Sequence, residues 1–228
     1  MGVGAMVRRR TGRVLCLLLG VALAALSLSL MPQPAAAATP AHVQSRAKEV
    51  TSGTVDSLAF STANTGGNLI VVYLSWNTTA SVTLSDTKGN VYAAAAPVTR
   101  WNNNTWSSQV FYAKNIAAGT NTVRATFSSS ITAWADLYIH EYSGLDKTAP
   151  LDVSAAAIGT TAAMSSGAAT TTSPSDLIFG AGSSTGTVTA AGSGFTSRRS
   201  NFGNRTEDRI AGAAGPYSAT ATQSGAGW

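Results

Sequence analysis

The 228 residues carry 15 Lys and Arg against 10 Asp and Glu, a formal net charge of +5, with 44% hydrophobic and only 11% charged residues. Four of those cations, Arg8, Arg9, Arg10 and Arg13, lie in the first 38 residues, which leaves 11 basic against 10 acidic in the remainder and excludes the clustered basic surface that nucleic acid requires. Cys16 is the single cysteine, so no intramolecular disulfide can form, and stability has to come from an apolar core that about 190 residues can readily bury.

The chain opens with the arginine run, continues through an apolar stretch from Val14 to Leu30 and ends this section in the small-residue tail "PQPAAAATP". Charged, apolar and small in that order is a secretory signal pattern, with cleavage expected after Ala38. The same apolar stretch approaches the roughly 18 to 20 residues that span a bilayer. The proline and alanine tail favours cleavage, so residues 39–228 are expected as one secreted domain with no membrane association once the signal is removed.

From Thr39 onward the pattern is that of strands. "NLIVVYLSW" (Asn68 to Trp76) is a continuous apolar run of strand length, as expected for a central strand covered on both faces. "SVTLSDTKGNVYAAA" reads as a hairpin turning at Asp86 to Asn90 around Gly89. "SQVFYAKN", "NTVRATFS", "WADLYIHEYSG", "SDLIFGAGSS" and "YSATATQS" follow, each bounded by Gly, Asn, Ser or Pro. Many short strands at such spacing predict an all-β antiparallel sandwich of jelly-roll type. Ala155 to Thr172, rich in Ala, Thr, Ser and Gly, reads as either strand or connection.

In their order, "HVQS", "TANTGGNLIVVYLSW", "LSDTKGNVY", "VFYAKNIAAGTNTVRATF", "LYIHEYSGLDKTAPLD", "SPSDLIFGAGSS" and "EDRIAGAAGPYSATAT" resemble a β-rich module of secreted bacterial proteins, often found beside fibronectin type III or glycan-active domains. The resemblance covers about His42 to Trp228. It implies a jelly-roll-like accessory module of largely uncharacterised function and brings no catalytic residues with it. Such modules continue past the terminal "GW" into a last apolar strand, whereas this sequence stops at Trp228. The comparison therefore implies a sandwich lacking that strand, with an open edge available to a protein partner.

Catalytic patterns fail on their context. "GSSTG" (Gly182 to Gly186) fits G-x-S-x-G, but a nucleophile elbow needs a following helix and a later histidine, and no histidine follows His140. His42 and His140 are the only histidines, no H-x-x-x-H spacing is present, and with no cysteine after the signal a zinc site would have to rely on carboxylates. Asp86, Asp146 and Asp152 are candidates for a structural calcium ion, or are ordinary turn residues accepting backbone N–H groups. No other cofactor is expected. A glycosidase needs two carboxyl groups roughly 5 to 10 Å apart, and Asp136 and Glu141 differ by an odd number and so point to opposite faces of a regular strand. Glu141 shares the apolar face of Ala135, Leu137 and Ile139, where a carboxylate must be paired; Arg209 or Arg205 is the expected partner.

The other parity of that strand is Trp134, Asp136, Tyr138, His140 and Tyr142. Rings alternating with polar groups on an exposed sheet face would suit carbohydrate; the alternative is that this face is a second core layer. "TRWNNNTWSS" (Thr99 to Ser108) adds Trp101 and Trp106 around Asn103 and its neighbours in a long connection, where specificity loops of a sandwich lie. The first expectation is a non-catalytic extracellular module binding polysaccharide or cell-wall glycan through these residues. A structural or adhesive module assembling through sheet edges is the second, and a glycan-active hydrolase or lyase the third.

Overall fold

The computed structural model of the protein describes residues 39–228; the expected signal segment, residues 1–38, lies outside them. In chain order the first half forms β1 (Ala41–Val50), β2 (Gly53–Ala59), β3 (Leu69–Trp76), β4 (Val82–Asp86), β5 (Tyr92–Ala94), β6 (Thr99–Trp101), β7 (Trp106–Ala113), β8 (Thr122–Ile131) and β9 (Ala135–Ser143). The second half forms β10 (Ala163–Ser165), β11 (Ala169–Thr170), β12 (Leu177–Gly182), β13 (Val188–Ala191), β14 (Thr196–Asn201), β15 (Asn204–Ile210), β16 (Pro216–Tyr217) and β17 (Thr220–Gln223). Every pairing is antiparallel, and there is no helix among the described residues, as the strand-rich pattern predicts.

The central sheet has the order β1-β9-β3-β7-β5, with β6 also on β7. All eight residues of β3 are buried because this strand is flanked by β9 and β7 and covered on both faces. One face (Ile70, Val72, Leu74 and Trp76 of β3; Ala135, Leu137 and Ile139 of β9) packs on the sheet β2-β8-β4. There β8 alternates, with Val123, Ala125 and Phe127 inward and Thr122, Arg124 and Thr126 outward, the mark of a sheet with one wet face. Each large side chain so buried contributes about 1.5 to 3 kcal/mol relative to exposure.

The opposite face of the central sheet supports a smaller apolar cluster, in which Leu69, Val71 and Tyr142 meet Val110, Tyr112, Leu177 and Phe179. Its cover is built by the second half of the chain, in the sheet β12-β15-β14, whose other face meets Met164 of β10 and Ala219 beside β17.

One expectation is corrected here. "SVTLSDTKGNVYAAA" is not a hairpin: β4 pairs with β8 in one sheet and β5 with β7 in the other. The turn chemistry is as read, with Gly89 at φ 73° and the Asp86 carboxylate accepting from the N–H groups of Lys88 and Asn90, both at 3.0 Å. The turn carries the chain across the core rather than back along one sheet. Residues 196–210, with Arg198, Arg199, Arg205 and Arg209 and no apolar pattern to mark them, form two paired strands, β14 and β15.

Candidate functional site

The loop "RWNNNTW" is a tight hairpin, not the long connection expected. Trp101 of β6 and Trp106 of β7 stand opposite each other in register. Asn102, Asn103 and Asn104 between them have φ of 47°, 57° and 63°. Three successive left-handed residues favour a short polar side chain that tolerates this region, which explains the asparagine run. Thr105 closes the turn, its N–H and Oγ donating to the Asn102 carbonyl at 3.2 and 2.6 Å.

The turn sorts three indoles by depth. Trp101 is 3% exposed and meets Trp106 with ring centroids 5.4 Å apart. Trp106 is half-buried and lies within 7° of parallel to Trp134, at 6.5 Å between centroids, while Trp134, just before β9, is 49% exposed. The exposed amides of Asn102, Asn103 and Asn104 belong to the same hairpin. Of the residues expected to form a binding strip, this turn brings together Trp101, Asn103, Trp106 and Trp134.

The remaining four are not a surface. Asp136, Tyr138, His140 and Tyr142 are 3%, 0%, 0% and 0% exposed, covered by the second half of the chain. Asn204 donates to Asp136 Oδ2 at 2.7 Å, Tyr138 donates its hydroxyl to the Asn201 carbonyl at 2.7 Å, and Tyr142 donates to Asp208 Oδ2 at 2.6 Å. Asp208 in turn holds Arg198 at 2.7 and 2.8 Å. His140 packs against Phe179 at 5.2 Å and His42 at 6.0 Å. The alternation of rings and polar groups is thus a polar seam between two layers, and these four residues are withdrawn as ligand contacts.

The seam is electrostatically strained. Burial, reinforced by the Glu49 carboxylate paired opposite it, pushes the Asp136 carboxyl up to about 7, against the opposing hydrogen bond from Asn204. Burial, with His42, Arg199 and Arg198 nearby, holds His140 well below the usual histidine range, and both of its ring nitrogens lack a hydrogen-bond partner.

Glu141 is fully buried, as its parity demands, but the expected ion pair with Arg209 does not form. Its Oε1 accepts from the Thr65 N–H at 2.8 Å and Asn68 Nδ2 at 2.7 Å. Its Oε2 accepts from Asn64 Nδ2 and Gln44 Nε2, both at 2.7 Å. Four neutral donors satisfy the carboxylate without a cation. Arg209 instead lies between the rings of Phe195 and Tyr217, at 5.6 and 5.4 Å, and Arg205 bonds the carbonyls of Val188 and Thr189. No sequence spacing signals this arrangement, because the donors come from the β2–β3 connection and β1.

The three aspartates proposed for calcium are occupied as turn acceptors. Asp86 receives Asn90, Tyr92 and Asn121 side chains besides its two backbone N–H groups; burial opposes its charge, but these hydrogen bonds outweigh it and lower its pKa. Asp146 accepts from Thr148 and Ala149, and Asp152 from the N–H and hydroxyl of Thr172. Among the described residues no three His, Cys, Asp or Glu side chains gather as a metal site. Ser184 of "GSSTG" donates to Gln223 Oε1 at 2.7 Å and is followed by strand β13.

A cleft of about 330 Å³ lies beside the hairpin, between the second face of the central sheet and β12. Leu69, Val71, Val110 and Tyr112 form part of its lining, as does Trp101, whose buried Nε1 has no partner. Tyr73 also lines it, sharing a hydrogen bond of 2.7 Å with Ser183, and burial pushes its hydroxyl up to about 12. This cleft was not read from the sequence; its walls come from strands more than 100 residues apart. No helix among the described residues is long and apolar enough to cross a membrane. Comparison with known proteins found no family, no curated protein and no solved structure that matches the chain.

Proposed function

We propose that the protein is a secreted, non-catalytic β-sandwich module that binds polysaccharide or cell-wall glycan at the "RWNNNTW" hairpin. The observation that carries this reading is the near-parallel pair Trp106 and Trp134, placed at the surface beside three exposed asparagine amides. Indole faces stack on the apolar C–H faces of sugars, and amides both donate to and accept from hydroxyls. Trp101 has a different part. Buried behind Trp106, it braces the hairpin so that the outer rings are presented with little freedom left to lose on binding. A module of this kind holds its enzyme or cell at a polymer and needs no nucleophile or acid of its own.

The test is retention of the protein on insoluble chitin, cellulose, xylan and peptidoglycan. A Trp106→Ala/Trp134→Ala variant should lose at least tenfold of that retention while its circular dichroism spectrum and melting temperature stay close to the parent's, because both rings are partly exposed. Retention unchanged in the double variant, or no retention on any of the four polymers, would reject the hairpin as a glycan platform.

The second reading, a structural or adhesive module whose sheet edge pairs with another chain, is favoured by one specific feature. The strand β12 ends its sheet, with β15 on one side and no strand on the other among the described residues.

A further inference from the structure

The phase of the β12–β15 ladder tells which backbone groups face away from it. The Ala211 N–H donates to the Asp176 carbonyl at 2.8 Å, immediately before the paired run Leu177↔Ile210 to Gly182↔Arg205. Hydrogen-bonded pairs alternate along an antiparallel ladder, so Ile178, Gly180 and Gly182 point their N–H and C=O groups at β15. Leu177, Phe179 and Ala181 point theirs outward, at the edge that has no strand.

That edge opens on the apolar cleft. A cleft lying on the face of a sheet touches alternate residues of a strand, since successive side chains point to opposite sides. Here every residue from Leu177 to Ser183 lines it, which places the cleft along the strand's edge. Across it runs Leu151 to Ile158, whose eight residues also line the cleft and form no ladder with any described strand. This rim leaves Leu151, Val153 and Ile158 at 40%, 39% and 57% exposed. An unpaired strand edge facing an unladdered apolar segment over an apolar floor is a slot for one more strand.

We propose that the outer edge of β12 takes an extended peptide strand from a partner chain, with apolar residues at alternate positions, by β-addition. Main-chain hydrogen bonds to Leu177, Phe179 and Ala181 supply the docking, and alternate side chains reach the floor at Val71 and Tyr112. The six residues of β12 set the length at about six to eight residues, roughly 20 Å. A second folded copy does not fit this slot, because the Leu151 to Ile158 rim of each copy keeps the two β12 edges apart; a single extended chain does. The proposal goes beyond glycan binding and uses a different surface.

The probe is a dye-labelled, acetylated and amidated octapeptide alternating valine with threonine. Fluorescence anisotropy should show saturable binding by the protein. Two versions N-methylated at alternate residues, one in each register, remove the N–H groups on one side of the peptide or the other; one should bind at least tenfold more weakly than the other. Hydrogen exchange at saturation should slow at least tenfold at Leu177, Phe179 and Ala181, with little change at Ile178 and Gly180, which are already paired. Ala181→Pro, which removes an outward N–H and no ladder bond, should weaken binding at least fivefold. The Trp106→Ala/Trp134→Ala variant should bind the peptide as the parent does, so the glycan and strand readings stand or fall separately. Failure of the octapeptide to bind, binding without protection of those three amides, or equal affinity of both methylated peptides would overturn β-addition; the last would mark the cleft as a site for apolar molecules only.

Discussion

Replacing Glu141 with alanine is expected to destabilise the protein by about 4 to 6 kcal/mol, enough to leave a large fraction unfolded at 25 °C. The carboxylate is completely buried and is the common acceptor of Gln44, Asn64, Thr65 and Asn68. Removing it strands four donors, two of them buried amides, and each buried donor without a partner costs about 1 to 3 kcal/mol. The side chain also leaves a void in the inter-sheet core. Against a total stability of 5 to 15 kcal/mol typical of domains, such a loss is decisive. Glu141→Gln is the sharper probe. It preserves size, but its amide nitrogen must face two donors where an oxygen stood, so about 2 to 3 kcal/mol should be lost. Urea unfolding of the parent and both variants would measure this. A loss under 1 kcal/mol for Glu141→Ala would mean that the donors find water or other partners, and that the carboxylate does not organise the β2–β3 connection.

Asp136→Asn is expected to stabilise the protein at alkaline pH and to do little at pH 4. The folded state raises this carboxyl from 3.8 to about 7, chiefly by burial and then through Glu49. Its neutral form is therefore the one the fold prefers. That preference is fully present below pH 3.8 and is lost as pH rises through about 7, because the unfolded chain releases the proton earlier. A tenfold change in proton affinity is worth about 1.4 kcal/mol, so ionisation costs roughly 4 kcal/mol at pH 8. An asparagine keeps an oxygen for the Asn204 donor and carries no charge. The variant should melt about 8 °C above the parent at pH 8, with the gap closing between pH 7 and pH 4. His140 acts in the opposite sense. Its folded pKa is lowered, so its contribution is present above pH 6.5 and is lost as pH falls below it. With Asp136 neutralised, the variant's alkaline decline should shrink but not vanish, because burial also raises the Asp56 and Glu207 carboxyls. A melting difference that does not vary with pH would remove Asp136 as the titrating group.

Much of the architecture was legible because strand periodicity is a local property. "NLIVVYLSW" reads as a strand covered on both faces, and β3 is one, since a run without polar positions has no side to turn to water. "NTVRATFS" likewise reads as a strand, and β8 is one, with alternate residues turned to water. The asparagine run is expected in a long connection; the structure makes it a tight turn, whose left-handed backbone selects the residue type.

Sequence alone therefore determined that this is an all-β antiparallel chain and which runs are central. Tertiary structure decided what lies on each side of those strands. Whether Asp136, Tyr138, His140 and Tyr142 meet solvent or a second layer depends on where β12, β14 and β15 return, and period-two alternation is the same in either case. Glu141 needed partners by its parity, yet only the folded path of residues 64–68 could show that dipoles, not an arginine, would meet its charge. The Asp86 turn has the same residues whether it joins one sheet or crosses between two; the packing of Val82, Leu84 and Tyr92 into the core settles it. The β12 edge and its cleft arise from chain segments far apart in sequence. Local patterns encode which face of a strand is apolar, and long-range packing determines what covers it.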